Sequence, residues 1–349
     1  MNRPRRRSLA FTLLVAAVLA ACVAPYSQSK VEKKILVSAI PVNDVQVSAI
    51  TTNLIINGRA AQHNEVFGNL QFLDVANLKG DNPDFGGFSA LALDSGQLVA
   101  LTDKAKALRL SLNPNEPLVG QFPQKARFVN LGDQNKTALK GENKDSEAMV
   151  LRSNSEAFVA FEQRHRIARH DLNTGQLLSD GGSALLIPEN VLKSVPVNGG
   201  FEAFTRLNDG RFLGITEEGY ANKDKSEVYG VLWATNGKPT VLRYQRSGTF
   251  RVTDAVALDN GDILVLERDF DILTMRGAGR IVRFRSTNLN ADVIKPELLL
   301  GFGFDAGIDN LEGLAARKNQ DGSYTLVIIS DDNFNTFQET VLSRWVYRP

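Results

Sequence analysis

The chain has 349 residues and carries 40 Lys and Arg against 39 Asp and Glu, a formal net charge of +1. So even a balance gives no basis for binding nucleic acid, which draws on a local excess of cations. The single cysteine excludes an intrachain disulfide, and with only His63, His165 and His170 beside it a zinc centre is not expected.

At the N-terminus, Arg3, Arg5, Arg6 and Arg7 form a basic start, residues 9–20 an apolar run, and Leu19-Ala20-Ala21-Cys22 closes it. Residues 1–21 therefore read as a secretory signal, too short for a membrane-spanning helix. The closing residues look like a bacterial lipobox, so Cys22 is expected to be lipidated and to begin the mature chain; ordinary signal-peptidase cleavage nearby is the alternative. Residues 22–44 make a polar tether behind it. The expected location is the periplasmic side of a bacterial cell envelope, with a lipid anchor in the outer membrane as the one membrane contact. Four arginines leave with the signal, so the charge becomes +1 − 4 = −3.

Residues 45–56 and 70–75 alternate as strands, and five similar hairpins follow. Gly87-Phe88-Ser89-Ala90-Leu91-Ala92-Leu93 turns at Asp94-Ser95-Gly96 into an apolar run ending at Asp103. Asp145-Ser146-Glu147-Ala148-Met149-Val150-Leu151 leads through Ser153-Asn154-Ser155 to a run ending at Glu162. Gly200-Phe201-Glu202-Ala203-Phe204 turns at Asn208-Asp209-Gly210 and returns to Glu217. Thr253-Asp254-Ala255-Val256-Ala257-Leu258 turns at Asp259-Asn260-Gly261 and returns to Glu267. Asn310-Leu311-Glu312-Gly313-Leu314 turns at Asp321-Gly322 and returns to Asp331-Asp332.

The positions 89, 147, 202, 254 and 312 are 58, 55, 52 and 58 residues apart. A hairpin recurring at so even a period is the signature of a radial β repeat, and Asn-Gly or Asp-Gly turns between apolar runs are strong hairpin signals. Further strands are expected at 107–112, 167–172, 230–233, 240–244 and 280–284, and loops at 181–197 and 221–227. The expected fold is all-β: a five- or six-bladed β-propeller of four-stranded antiparallel blades, one domain over residues 45–349, monomeric. Only 340–347 follows the last hairpin, so an N-terminal strand is expected to complete that blade and close the ring through both termini, removing exposed edges.

In a hairpin the start of the first strand and the end of the second lie at the same end. Glu147, Glu202, Asp254 and Glu312, with Ser89 in the first repeat, then share one channel mouth with Asp103, Glu162, Glu217, Glu267 and Asp331. Carboxylates so placed must be protonated, paired with base or bound to cations, and calcium accepts several oxygens in irregular geometry. Lys104, Arg164 and Arg268 follow the second set and supply positive charge for an anionic substrate. The architectural alternative is that each acid caps turn amides or pairs with a neighbouring blade. No Gly-x-Ser-x-Gly elbow is present, which disfavours a serine hydrolase. Gly277-Ala278-Gly279-Arg280 and Gly301-Phe302-Gly303 read as loop glycines, and His165 as a solvated loop histidine.

The segments Phe85-Gly86-Gly87-Phe88-Ser89-Ala90-Leu91, Asp145-Ser146-Glu147-Ala148, Gly200-Phe201-Glu202-Ala203, Asn310-Leu311-Glu312-Gly313-Leu314 and Ser330-Asp331-Asp332-Asn333-Phe334 resemble the phytase-like family known as "esterase-like activity of phytase". The resemblance spans roughly residues 68–346. Two departures stand out: Phe88 and Ala90 in the family's Gly-Leu-Ser-Gly-Leu opening, and Asp103-Lys104-Ala105 where Asp-Arg-Gly is usual. The resemblance implies an exported, acid-rich phosphoesterase, with Glu147, Glu202, Glu312, Asp331 and Asp332 as the matching residues. The resulting expectation is cation-dependent cleavage of a small phosphorylated substrate. Glu147, Glu202 and Glu312 are expected to be catalytic. Asp103, Glu162, Glu217, Asp254, Asp331 and Asp332 are expected to hold calcium, and Lys104, Arg164 and Arg268 the substrate. A non-catalytic propeller binding a ligand or envelope partner, and a calcium-dependent lactonase or esterase, are the alternatives.

Overall fold

Alternating and continuous apolar runs between turn residues make strand the dominant secondary structure among the described residues. A computed structural model describes residues 40, 42–114, 116–179, 184–271, 276–303, 306, 307, 310–335 and 337–349. The signal, Cys22 and nearly all of the tether lie outside the described residues. Ser38–Pro349 is one compact unit, and no helix among the described residues is long and apolar enough to cross a membrane.

Before the repeats come β1 (Val42–Thr51), the short strands β2 (Ile55–Ile56), β3 (Arg59–Ala60) and β4 (Val66–Phe67), and β5 (Leu70–Gly80). The first repeat forms an antiparallel set of β6 (Phe88–Asp94), β7 (Gln97–Thr102), β8 (Lys106–Ser111) and β9 (Gln124–Asn130). The second has, among the described residues, three strands, β10 (Ser146–Leu151), β11 (Glu156–Phe161) and β12 (Arg166–Asp171). The outer edge of β12 is met by irregular chain, with the Leu178 amide donating to the Arg169 carbonyl at 2.7 Å. A one-turn helix, α1 (Glu189–Ser194), lies in the segment expected to be loop. The third sheet is β13 (Phe201–Arg206), β14 (Phe212–Tyr220), β15 (Glu227–Trp233) and β16 (Pro239–Gln245). The fourth is β17 (Arg251–Ala257), β18 (Asp262–Asp271), β19 (Arg276–Arg285) and β20 (Glu297–Phe302). The last repeat gives β21 (Leu311–Lys318), β22 (Tyr324–Ser330) and β23 (Thr340–Tyr347), and β5 pairs antiparallel with β23 as a fourth strand. β1 then lies between β5 and β9, joining the outer edges of the last and first sets.

Hydrophobic cores sit between consecutive sheets. One cluster joins first-sheet Leu91 and Leu108 to last-sheet Val327 and Leu342, so the last set packs on the first. Others join the first and second sets, the second and third, the third and fourth, and the fourth and last. In that last cluster the buried Trp345 meets Phe72 and Phe302 edge-on, at 5.1 and 5.8 Å between ring centres. Each such aromatic pair adds about 0.5–1.5 kcal/mol beyond the area it buries.

The glycines of 277–280 and 301–302 lie in β19 and β20, not in loops. A Cβ on Gly279 would fall 2.3 Å from the Leu311 side chain, so glycine there lets the two sheets pack closely without displacing Leu311.

Candidate functional site

The register of the inner hairpins is interrupted at the same place in every repeat. One residue of the first strand is skipped: Ser89, Glu147, Glu202, Thr253 and Glu312. Such a bulge sets two residues against one and re-aims the side chain. It also fixes which residues are equivalent. On the second strands, Thr102, Phe161, Thr216, Glu267 and Ser330 each pair with the residue before the bulge. The next residues are Asp103, Glu162, Glu217, Arg268 and Asp331.

The fourth repeat is therefore displaced by one position from the sequence expectation. Thr253, not Asp254, is the equivalent of Glu147, and Arg268, not Glu267, is the equivalent of Glu162. Because strand side chains alternate between faces, a shift of one sends a group to the other side. Asp254 is fully buried and accepts the amides of Ala255 and Leu314, each at 2.7 Å. Glu267 is buried away from the mouth, where the Tyr244 hydroxyl donates to it at 2.7 Å and Arg280 pairs with it. Both acids hold architecture together.

A cavity of about 300 Å3 is lined by Ser89, Asp103, Glu147, Glu162, Glu202, Glu217, Arg268, Glu312 and Asp331, all expected at the mouth. It is also lined by Asp145, Asn198, Arg251 and Asn333, which were not singled out. Asp145 stands two residues before its bulge and Arg251 two before Thr253, so aligning the repeats on the bulge brings both into view.

The remaining expected residues lie outside the lining. Arg164 pairs with Glu142 at 3.3 Å on exposed surface. Lys104 lies over the Phe334 ring. Asp332 accepts the Phe334 and Gly87 amides at 3.0 and 3.2 Å, fastening one rim turn to another. His165 is half-buried rather than solvated, its Nε2 2.9 Å from the Pro196 carbonyl, and burial lowers its pKa.

The wall is polarised. On one side Asp145, Glu147 and Glu162 each offer a ligand atom, all within 4.8 Å of one another. On the other, Arg268 lies 2.9 Å from Glu312 and 3.4 Å from Glu217, and Arg251 lies 2.6 Å from Glu218 and 3.4 Å from Glu217. Arg268 Nε is near Glu312 but not aligned for a hydrogen bond, which leaves that N–H free among the described residues. Glu162 accepts the Gly199 amide at 2.6 Å and that of Gly200.

Burial dominates the electrostatics. It drives Glu147 well above the usual carboxylate range, helped by the charges of Glu162 and Asp145. Burial raises Glu202 in the same way, with Glu217 adding to it. Glu312 is pushed to about 8 by burial, against the pull of Arg268. Glu162 and Asp331 reach about 7 and Asp103 about 6, again through burial first. Burial works against the charge of Arg268, but Glu312, Glu202 and Glu217 outweigh it and raise its pKa.

Such shifts mark carboxylates short of positive charge. Asp103 Oδ1 and Glu202 Oε2 are buried with no partner among the described residues. The donors available are oxygens in an irregular cluster, which suits a hard cation such as calcium rather than a soft metal. The residues present fit calcium.

These features define an all-β repeat protein with a charged cavity where the inner strands of its repeats converge. The chain belongs to the phytase-like family described as "Esterase-like activity of phytase", whose profile matches residues 83–334. A search of curated proteins gave no match. Among solved structures, the endo-arabinase of Bacteroides thetaiotaomicron aligns at 12% identity and a TM-score of 0.47, covering 76% of this chain and 96% of that one. A virginiamycin B lyase from Staphylococcus aureus aligns at 12% identity and 0.40, covering 88% and 100%. A luciferin-regenerating enzyme aligns at 12% and 0.41, covering 76% and 93%. Likeness at this level carries no chemistry across.

Proposed function

We propose that the five strand sets are the blades of a closed five-bladed propeller and that its mouth hydrolyses phosphoesters with calcium. What carries the reading is the polarity of one small cavity, a three-carboxylate cluster facing two arginines. The fourth blade contributes Arg268 where the others contribute acids, with Arg251 beside it, so a phosphoryl group has a defined orientation. Its non-bridging oxygens meet Arg268 and Arg251, whose planar forks suit phosphate. Asp145, Glu147 and Glu162 would hold the cation, with the free oxygens of Asp103 and Glu202 completing the oxygen-rich wall. Calcium, when bound, supplies positive charge against the phosphoryl oxygens and lowers the pKa of water.

The chain's own groups do the rest. Glu202, with one unpartnered oxygen and ionised once a cation offsets the neighbouring carboxylates, would take the proton of the attacking water, and Glu312, kept protonated by burial, would give a proton to the departing alkoxide. Water adds to phosphorus as the ester P–O bond breaks, which yields phosphate and alcohol. Glu217 and Glu312 position Arg268. We also place the reaction in the bacterial envelope, tethered through lipidated Cys22, on small anionic phosphorylated substrates.

The test is a screen of phosphomonoesters, phosphodiesters and lactones with calcium or chelator. Calcium-dependent phosphate release is expected, lost by at least a hundredfold in Glu147→Gln and Arg268→Gln. Lactone turnover without phosphate release would move the chain to the lactonase reading. No turnover together with calcium binding would leave a ligand-binding propeller.

A further inference from the structure

We propose that a groove between the second and third sheets, remote from the cavity, is a binding site for a small aromatic carboxylate. In a hairpin the turn lies opposite the strand ends, here the ends that carry the acids of the cavity. Arg152 and Gly210 belong to two of those turns, and both line the groove. Its volume is about 580 Å3, within the roughly 300–1,000 Å3 of small-molecule sites. Among the described residues it shares none of its lining with the cavity.

The floor of the groove is apolar. Phe158 and Phe212 line it with their ring centres 4.8 Å apart, and Leu185 extends it. Phe212 also stacks on the buried Phe204, with 5.8 Å between ring centres. The core therefore holds the Phe212 ring in place while part of it remains exposed. A flat ring laid on this floor gains both apolar burial and aromatic contact.

The rim is positive. Arg152, Arg169 and Arg206 line the groove against one acid, Asp209. Arg152 pairs with Glu156 and Asp209 with Arg211, each at 2.7 Å, so those four charges balance. Arg169 and Arg206 are left over, with no salt bridge to either among the described residues. Arg169 is half-buried; its Nη2 donates to the Leu178 carbonyl at 3.2 Å, and its buried Nε–H has no acceptor among the described residues. An unpaired buried donor is costly, and a ligand oxygen there removes the cost. Arg206 Nη2 lies 3.9 Å from where a Cβ on Gly210 would stand, which sets the guanidinium over the turn at the edge of the groove. Planar forks of this kind match a carboxylate, whereas the apolar floor offers nothing to a bare hydrated ion.

Titration calorimetry in chelator should show 2-naphthoate binding at one site per chain. Acetate, which has the charge without the ring, and 2-naphthol, which has the ring without the charge, should each bind about tenfold more weakly or worse. The double variant Arg169→Gln/Arg206→Gln should lose about tenfold or more in affinity for 2-naphthoate. Arg206 is exposed, so Arg206→Gln alone keeps the test valid if loss of Arg169 loosens the edge of β12, and Arg206→Lys should recover part of its loss. Arg268→Gln should leave the affinity unchanged, because the cavity takes no part, and none of these readouts depends on phosphoester turnover. Absence of 2-naphthoate binding, equal binding of 2-naphthol, or an unchanged affinity in Arg206→Gln would overturn the site. Loss of binding in Arg268→Gln would place the ligand in the cavity and overturn it as well.

Discussion

At the scale of single residues, acids that look alike in the sequence do opposite work. Asp254 and Glu147 stand at similar places in their repeats, yet Asp254 accepts backbone amides from two strands while Glu147 faces other carboxylates. Asp254→Asn puts an amide donor where two donors already converge, leaving at least one buried N–H unpaired. The expected loss is about 1–3 kcal/mol, with the response to calcium unchanged. Glu147→Gln removes a repelling charge, so in chelator at about pH 8 it should leave the protein as stable as wild type or more so, while calcium stabilises it less. Thermal melts of both variants with calcium and with chelator check the pair of expectations. A matching calcium response in Glu147→Gln and wild type would show that Glu147 does not face the cation. The exchange of Asp254 for Thr253, and of Glu267 for Arg268, was not legible because each residue has an acid as its immediate neighbour. A one-residue bulge register is invisible to spacing alone.

At the scale of elements, the inner hairpins were legible because their turns and apolar runs are local signals. The outer strands were legible in part: 107–112 and 280–284 fall on β8 and β19, whereas the second repeat has no regular fourth strand among the described residues. The expectation of an N-terminal strand beside 340–347 corresponds to the pairing of β5 with β23. The role of β1, laid between β5 and β9, depends on contacts remote in sequence and left no local trace. Removing β23 tests whether this pairing holds the fold together. Truncation before Thr340 exposes the edges of β22 and β5 and takes away the buried Leu342, Trp345 and Tyr347. Unpaired edges and lost apolar burial together should abolish the cooperative transition or drive aggregation. A thermal transition within a few degrees of the full chain would mean that the pairing of β23 with β5 is dispensable for the fold.

At the scale of the whole molecule, packing between repeats gathers acids from separate sheets into one cavity, and that gathering ties stability to pH. Glu312 has a folded pKa of about 8 against an ordinary 4.5, Glu162 about 7 against 4.5, Asp331 about 7 against 3.8, and Asp103 about 6 against 3.8. In each case the folded state keeps a proton that the unfolded chain has already released. Between about pH 4 and 8 the native state therefore binds more protons than the unfolded one, and stability must fall as pH rises. This is opposite to the usual behaviour of salt-bridged carboxylates. A cation in the cavity takes the place of those protons and binds only the folded state, so it should stabilise by mass action and more strongly at higher pH. In chelator, the melting temperature is expected to drop steadily from about pH 5.5 to about pH 8.5. With millimolar calcium the drop should flatten, and the calcium-induced shift should be largest at the alkaline end. Calorimetric titration of calcium in buffers of different ionisation enthalpy should also report protons released on binding. A melting temperature that climbs with pH in chelator would mean that partners within the wall keep these acids charged. Parallel curves with and without calcium would mean that no cation replaces the protons, and either outcome would remove the basis for a calcium site at the mouth.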